Sequence, residues 1–448
     1  MPDAPIFDPA TLLQQNEIVI PSPEWEERLL PNGLRLCAAT DRALPYAAVQ
    51  LVVRSGARDD GERIGLADFT GDMLSAGAGT RDAVAFARDV DMLGAEMGVD
   101  TGRDGIVIGV DLLSRVLPEG MALLADMIAR PRFMAEEVAR ERKGRLSSLK
   151  QNRSDPEWLA AVALRRTLYG ETPYGYPVEG EERSVRAIRV DDIRSFHRTH
   201  ITPRNAALIG GGDIDLETLE RLAAPLIEGW EGDAPAHPPI EPPAPRRRVV
   251  IVDAPSALHS PVRIGRVGIP RSHPDFVALR ALNTVVGDYF NSRLNGRLRE
   301  GMGYTYGAWS YVEGTMGPGM IAIGTSVRDD RVGGTVGAVF EELERLRAEP
   351  VDAEELTMVK RYISGRQALG LETPEQVVGM IGALALHELP RDHVATTIAR
   401  TRALEREDLL TIAGRYLDPA EMAIVVVGDA RMLVRELEEF GEVEVRRS

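Results

Sequence analysis

Two stretches of this 448-residue chain end in the same way. "DDIRSFHRTHITPRNAALIGGGDID", 191 to 215, reads as a helix, a proline turn and an apolar strand closed by Gly-Asp. "EDLLTIAGRYLDPAEMAIVVVGDAR", 407 to 431, repeats that order. Pro203 pairs with Pro419, Gly212 with Gly428 and Asp213 with Asp429, each 216 residues apart. Upstream, "ARPRFMAEEVARERKGRLSS" from 129 matches "AEPVDAEELTMVKRYISG" from 348, with Pro131 against Pro350 at an offset of 219. An offset held through helix, turn and strand is hard to obtain by chance, so the chain reads as two tandem copies of one unit.

Each copy opens on a strand ("VQLVVRSGA" or "VRIGRVGIP"), continues through a long helix, further strands and two or three helices, and finishes on the closing strand. That order, with local hairpin spacing, predicts an α+β fold of two homologous domains, each a mostly antiparallel sheet covered on one face by helices. "EGDAPAHPPIEPPAPRRR", 231 to 248, is dense in proline and lacks apolar periodicity. It reads as a semi-extended linker that spaces the halves without packing into either. The expected division is therefore an N-terminal domain over 1–235, a linker over 236–248 and a C-terminal domain over 249–448.

Composition excludes several classes. A net charge of −16 argues against a nucleic-acid partner, which needs a concentrated basic face. Cys37 is the only cysteine, so neither an intrachain disulfide nor a cysteine-built zinc cage is available. No apolar run reaches the roughly 18 residues that a membrane span needs. The opening "MPDAPIFDPATLLQQNEIVI" has neither a basic nor an apolar leader region, so the expected compartment is the cytoplasm, or the periplasm if an export signal has been removed.

The candidate site lies in "GLADFTGDML", 65 to 74, where Asp68 and Asp72 share one helix face at i and i+4, as two metal ligands would. Carboxylates could hold Mg²⁺ or Ca²⁺ only with several further oxygens, Glu141 being one candidate; the expected state is solvated or arginine-paired. His197 and His200 beside the turn at Pro203 read as surface histidines at a helix end. "GGGD", 210 to 213, lacks the helix and spacing of a dinucleotide site and reads as a strand ending in a tight turn.

The stretch "LPNGLRLCAATDRALPYAAVQLVVRSGARDDGERIGLADFTGDMLSAGAGTRD", 30 to 82, resembles the start of the pitrilysin, insulinase and mitochondrial-processing-peptidase family of zinc metallopeptidases. "PYGYPVEGEERSVRAIRVDDIRSFHRTHITPRNAALIGGGD" and the second half follow the same family's layout, so the resemblance covers nearly the whole chain. Active members carry HxxEH on this helix, two histidines for zinc and a glutamate as general base. Here the five positions read Asp68, Phe69, Thr70, Gly71 and Asp72, with Gly71 in place of the base. Through "ERKGRLSSLK" the third-ligand position aligns with Ser148, and Glu141 keeps a supporting acidic position. Gly98, in a segment similar to the family's substrate-binding edge strand, stands where active members usually have asparagine.

"DYFNSRLNGRLREGMGYTYGAWS", 288 to 310, resembles the segment in which an arginine and a tyrosine reach across to a facing zinc site; aligned on "LRE" they are Arg299 and Tyr306. The resemblance implies a non-catalytic subunit, similar to that of a bacterial heterodimeric member, with no cofactor of its own. Zinc is expected in a homologous HxxEH-containing partner, and the substrate is expected to be an unfolded or short peptide. The alternatives are a structural or peptide-binding scaffold with no share in proteolysis, and a mitochondrial-type recognition subunit, which "VVGDYFNSRL" disfavours for want of a glycine-rich loop.

Overall fold

The computed structural model describes Ile20 and residues 23 through 447; apart from Ile20, the residues on which the leader was read lie outside the described ones. Among them the strands form two six-stranded sheets. The first holds β1 (Glu26–Leu29), β2 (Arg35–Thr40), β3 (Tyr46–Val53), β4 (Glu96–Thr101), β5 (Ile106–Leu113) and β6 (Ala206–Gly212) in the order β1-β2-β6-β3-β5-β4. The second holds β7 (Arg248–Asp253), β8 (Ser260–Val267), β9 (Ala308–Glu313), β10 (Met320–Val327), β11 (Ala423–Gly428) and β12 (Val443–Arg447) in the order β12-β7-β11-β8-β10-β9. Five strands correspond one to one, with the same mixture of a parallel pair (β2 with β6, β7 with β11) and antiparallel neighbours. The sixth differs. β1 lies antiparallel to β2, whereas β12 lies parallel to β7.

Helices Val190–His200 and Arg406–Tyr416, which lead into β6 and β11, repeat the 216-residue offset read from the sequence. The central strands bury both faces, which corrects the expectation of one covered face. Along β3, Ala47, Val49, Leu51 and Val53 enter the core under the first half's own helices, while Ala48 and Val52 point to a second cluster. Val378, Ile381 and Leu384 of helix Pro374–Leu386, from the other half, fill that cluster. The exchange is reciprocal. Leu164, Leu168 and Tyr169 of helix Pro156–Tyr169 cover Val250, Ala322 and Val425 of the second sheet. These strands are near-continuous apolar runs because neither face meets water.

Glycines allow the close approach. A Cβ on Gly211 would meet Val378 Cγ2 at 2.5 Å, and Gly212, at φ +89, makes the turn. The proline-rich segment has no regular secondary structure over 231–247, and it docks on the fold instead of standing clear of both halves. His237 Nδ1 lies 3.1 Å from Asp59 Oδ1, Arg58 donates to the Pro238 carbonyl at 3.1 Å, and Ile240 packs against the Leu164 cluster.

Candidate functional site

Helix Leu66–Leu74 begins on Gly65 at φ +90. The buried Asp60 carboxylate accepts from the Gly65 and Ala67 backbone N–H groups at 2.6 and 2.7 Å, completing the open first turn. Burial pushes the Asp60 carboxyl up to about 8 against these two donors. Leu66, Phe69, Met73 and Leu74 bury one side, which leaves Asp68 and Asp72 on the other.

The facing helix is Ala135–Asn152. From it Arg145, whose side chain is 6% exposed, places its guanidinium between the two carboxylates: Nη1 donates to Asp68 and Nη2 to Asp72. Nη1 also donates to the Glu179 carbonyl at 3.3 Å, and Nε lies 3.5 Å from Glu141 Oε1. The guanidinium carbon sits 5.1 Å from the Phe69 ring centroid. Burial lowers the basicity of Arg145, but Asp68 and Asp72 outweigh it and hold the group above its usual value. Burial raises the Asp68 carboxyl despite Arg145, and burial with neighbouring Asp72 raises Glu141. The arrangement is an ion-paired cluster with one fixed organic cation.

Of the sequence-predicted residues, the structure brings together Asp68, Asp72 and Glu141. It leaves Ser148 exposed farther along the same helix and puts Arg145 in the pair's grasp instead. Gly71 is closed off as well. A Cβ there would meet Thr101 Oγ1 at 2.6 Å and Val99 Cγ1 at 3.1 Å, so β4 leaves no room for a side chain at this position. Gly98, on the same edge strand, faces open space. His197 and His200 are partly buried, not surface groups. His197 Nε2 sits 2.7 Å from the Ile128 carbonyl, and His200 Nδ1 sits 3.1 Å from Ser55 Oγ while its ring stacks on Phe196.

In the second half, Arg299 lies on the π-helical turn Asn295–Gly301, and Tyr306 lies in the loop before β9. The segment is held from below: Asn295 Oδ1 accepts from Ala308 N at 2.8 Å, and Tyr304 N donates to the Leu298 carbonyl at 2.9 Å. The Arg299 guanidinium rests 4.2 Å from the centroid of Phe290, and its Nη1 is buried without a hydrogen-bond partner among the described residues. Tyr306 is 99% exposed. An exposed phenol and a guanidinium that makes no ion pair can both hydrogen-bond a carbonyl oxygen and the oxyanion made from it.

A zinc ion does not fit the first site. Its donors are hard carboxylates with no imidazole or thiolate, and a guanidinium fills the space between them. Among the described residues, no group of three or more His, Cys, Asp or Glu side chains is placed to hold a metal ion. Two repeated α+β units form the scaffold, and on the first of them Arg145 fills the space between Asp68 and Asp72.

Comparison with known proteins places that scaffold. The family profile described as "Insulinase (Peptidase family M16)" matches residues 37–182, and "Peptidase M16 inactive domain" matches residues 187–363. An uncharacterized zinc protease of Streptomyces coelicolor is 26% identical over 86% of this chain and 85% of its own length. The mitochondrial-processing peptidase subunit beta of Bos taurus is 24% identical over 95% and 88%. Among solved structures, a peptidase M16 inactive domain from Pseudomonas fluorescens superposes with a TM-score of 0.85 at 26% identity, covering 91% of this chain and 98% of that one. The chain belongs to the pitrilysin and insulinase family of metallopeptidases, of the inactive type.

Proposed function

We propose that this chain is the zinc-free subunit of a two-subunit endopeptidase, paired with a homologous subunit that carries HxxEH and the metal. One contrast carries the reading. Asp68 and Asp72 are engaged by Arg145, whereas Tyr306 stands almost wholly in solvent and Arg299 makes no ion pair among the described residues. A side chain held on an ordered segment yet contacting nothing is suited to meet a second molecule. The hydrolytic chemistry belongs to the partner. This chain supplies two donors to the carbonyl oxygen of an extended, unfolded or short peptide, and they act most strongly once that oxygen carries charge.

The test is reconstitution. Tagged chain recovered from its native host is expected to bring down an HxxEH-bearing homologue, and the pair is expected to cleave peptides that neither subunit cleaves well alone. Metal analysis of the isolated chain is expected to find no stoichiometric zinc. One zinc per isolated chain that survives dialysis, or peptide hydrolysis by the isolated chain, overturns the proposal.

A further inference from the structure

A cavity of about 330 Å³ opens between helices Phe276–Val286, Ala353–Leu369, Pro374–Leu386 and His393–Ala403. Its charged lining is lopsided. Arg271, Arg280 and Arg366 contribute three positive charges against the single carboxylate of Asp288, in a chain where Asp and Glu outnumber Lys and Arg by 69 to 53. Asp288 is engaged by Arg366, at 3.4 Å. Neither Arg271 nor Arg280 has an ion pair among the described residues, and the Arg271 Nε is buried with no acceptor.

The cost of that arrangement shows in the groups themselves. Burial and the neighbouring Arg280 pull the Arg271 guanidinium down to about 10, and burial, Arg271 and Arg400 lower the His393 imidazole. Arg271 is steered by the ring of Phe276, 5.6 Å from its guanidinium. Arg280 and Arg366 stand exposed at the mouth with Arg271 less exposed, and Asp288 offsets only part of their charge, so an anion entering between them would relieve the remaining repulsion. The rest of the wall is apolar, with Val277, Met380 and Leu384 among it.

We propose that this cavity is a binding site for a small phosphate monoester, its phosphoryl group held by Arg271, Arg280 and Arg366 and its organic body against the apolar wall. The two positive charges in excess match the roughly −1.5 to −2 carried by a phosphoryl group at neutral pH. Guanidinium forks bind its oxygens in pairs. The volume is at the lower end for small-molecule sites, roughly 300 to 1,000 Å³. A monocarboxylate would leave one positive charge unmatched. The site is independent of any peptidase partner.

Titration calorimetry on the full chain at low salt tests it, with inorganic phosphate, phenyl phosphate, succinate and chloride as probes. Phosphate is expected to bind saturably and phenyl phosphate more tightly, with succinate weaker and chloride weakest. Arg271→Gln and Arg280→Gln are each expected to weaken phenyl phosphate by about ten-fold or more, equivalent to about 1.4 kcal/mol. Met380→Trp, which fills the cavity while keeping every charge, is expected to abolish the preference for the phenyl ester, and it serves as the check should an arginine variant fail to fold. No saturable binding of either phosphate to the unaltered chain overturns the proposal, as do affinities unmoved in the folded variants. Tighter succinate than phosphate overturns the phosphoryl assignment.

Discussion

The two halves contain one arginine each at a place where the family resemblance expects chemistry, and they use it in opposite ways. Arg145 is ion-paired with Asp68, Asp72 and Glu141, all in its own half; Arg299 lies against a single ring and makes no ion pair among the described residues. The difference teaches how to read a guanidinium. One engaged by two carboxylates stabilises its own fold, and one that makes no ion pair on an ordered segment is available to something else.

The sharpest way to break this comparison is kinetic. In an assembled, active complex, Arg299→Ala or Tyr306→Phe is expected to lower kcat by roughly 10² to 10³ fold with little change in KM, as for removal of an oxyanion donor. Assembly is checked by gel filtration. Full activity in a well-assembled double variant would mean that the second half is as structural as the first, leaving a scaffold subunit.

Arg145→Met attacks the other side of the contrast. It leaves three carboxyls facing one another and is expected to cost about 2 to 3 kcal/mol in urea unfolding, below the usual figure for a buried pair because Asp72 is 47% exposed. The sign of the pH dependence follows from Asp68. Its carboxyl is already raised in the folded chain, so its favourable contribution is present below the unfolded value and is lost as the pH rises through the folded one. Without Arg145 burial acts unopposed, so the variant's deficit is expected to shrink on acidification. Asp68→His with Asp72→His and Arg145 kept is expected not to recruit zinc, measurable by metal analysis. Tight zinc in that variant would show that Arg145 does not close the site.

A smaller effect is expected at Asp60, which caps the helix carrying both aspartates. Asp60→Asn keeps one acceptor and is expected to cost about 1 kcal/mol. Its carboxyl titrates near 8 when folded, so the native chain is expected to lose stability between about pH 4 and pH 8, and the asparagine variant to give a flatter urea-midpoint profile.

The smallest expected change concerns the joint between the halves. Trypsin is expected to nick first after Arg246, in the exposed part of the proline-rich segment past the anchored Ile240. The nicked pieces are expected to stay together on gel filtration because each holds a helix of the other's core. Separation into two folded pieces would show that the exchange contributes little.

The repeat, the mixed α+β sheets and the closing strands were legible because a helix, a proline turn and an apolar strand each carry a period that one sequence displays. That the helix Leu66–Leu74 carries no HxxEH was plain in the sequence. Arg145 was not, although Glu141 and Arg145 at i, i+4 face the same kind of pair at Asp68 and Asp72; periodicity gives a face, and only packing says which side chain reaches across. Alignment pointed to Ser148, one turn away. The helix exchange was hidden for a related reason: "PEQVVGMIGALAL" is apolar almost all round, which signals two buried sides without naming their owners.

That exchange also sets a clock. A ribosome that has finished β6 at Gly212 must add 174 more residues before Leu386 has been made. At roughly 5 to 20 residues per second that is on the order of ten to thirty seconds, during which the outer face of the first sheet, with Ala48, Val52 and Ile209, has no cover. The nascent chain thus carries an adhesive surface through most of the synthesis of its second half, and growth temperature, translation speed and chaperone supply are expected to govern its yield more than the stability of the finished protein does.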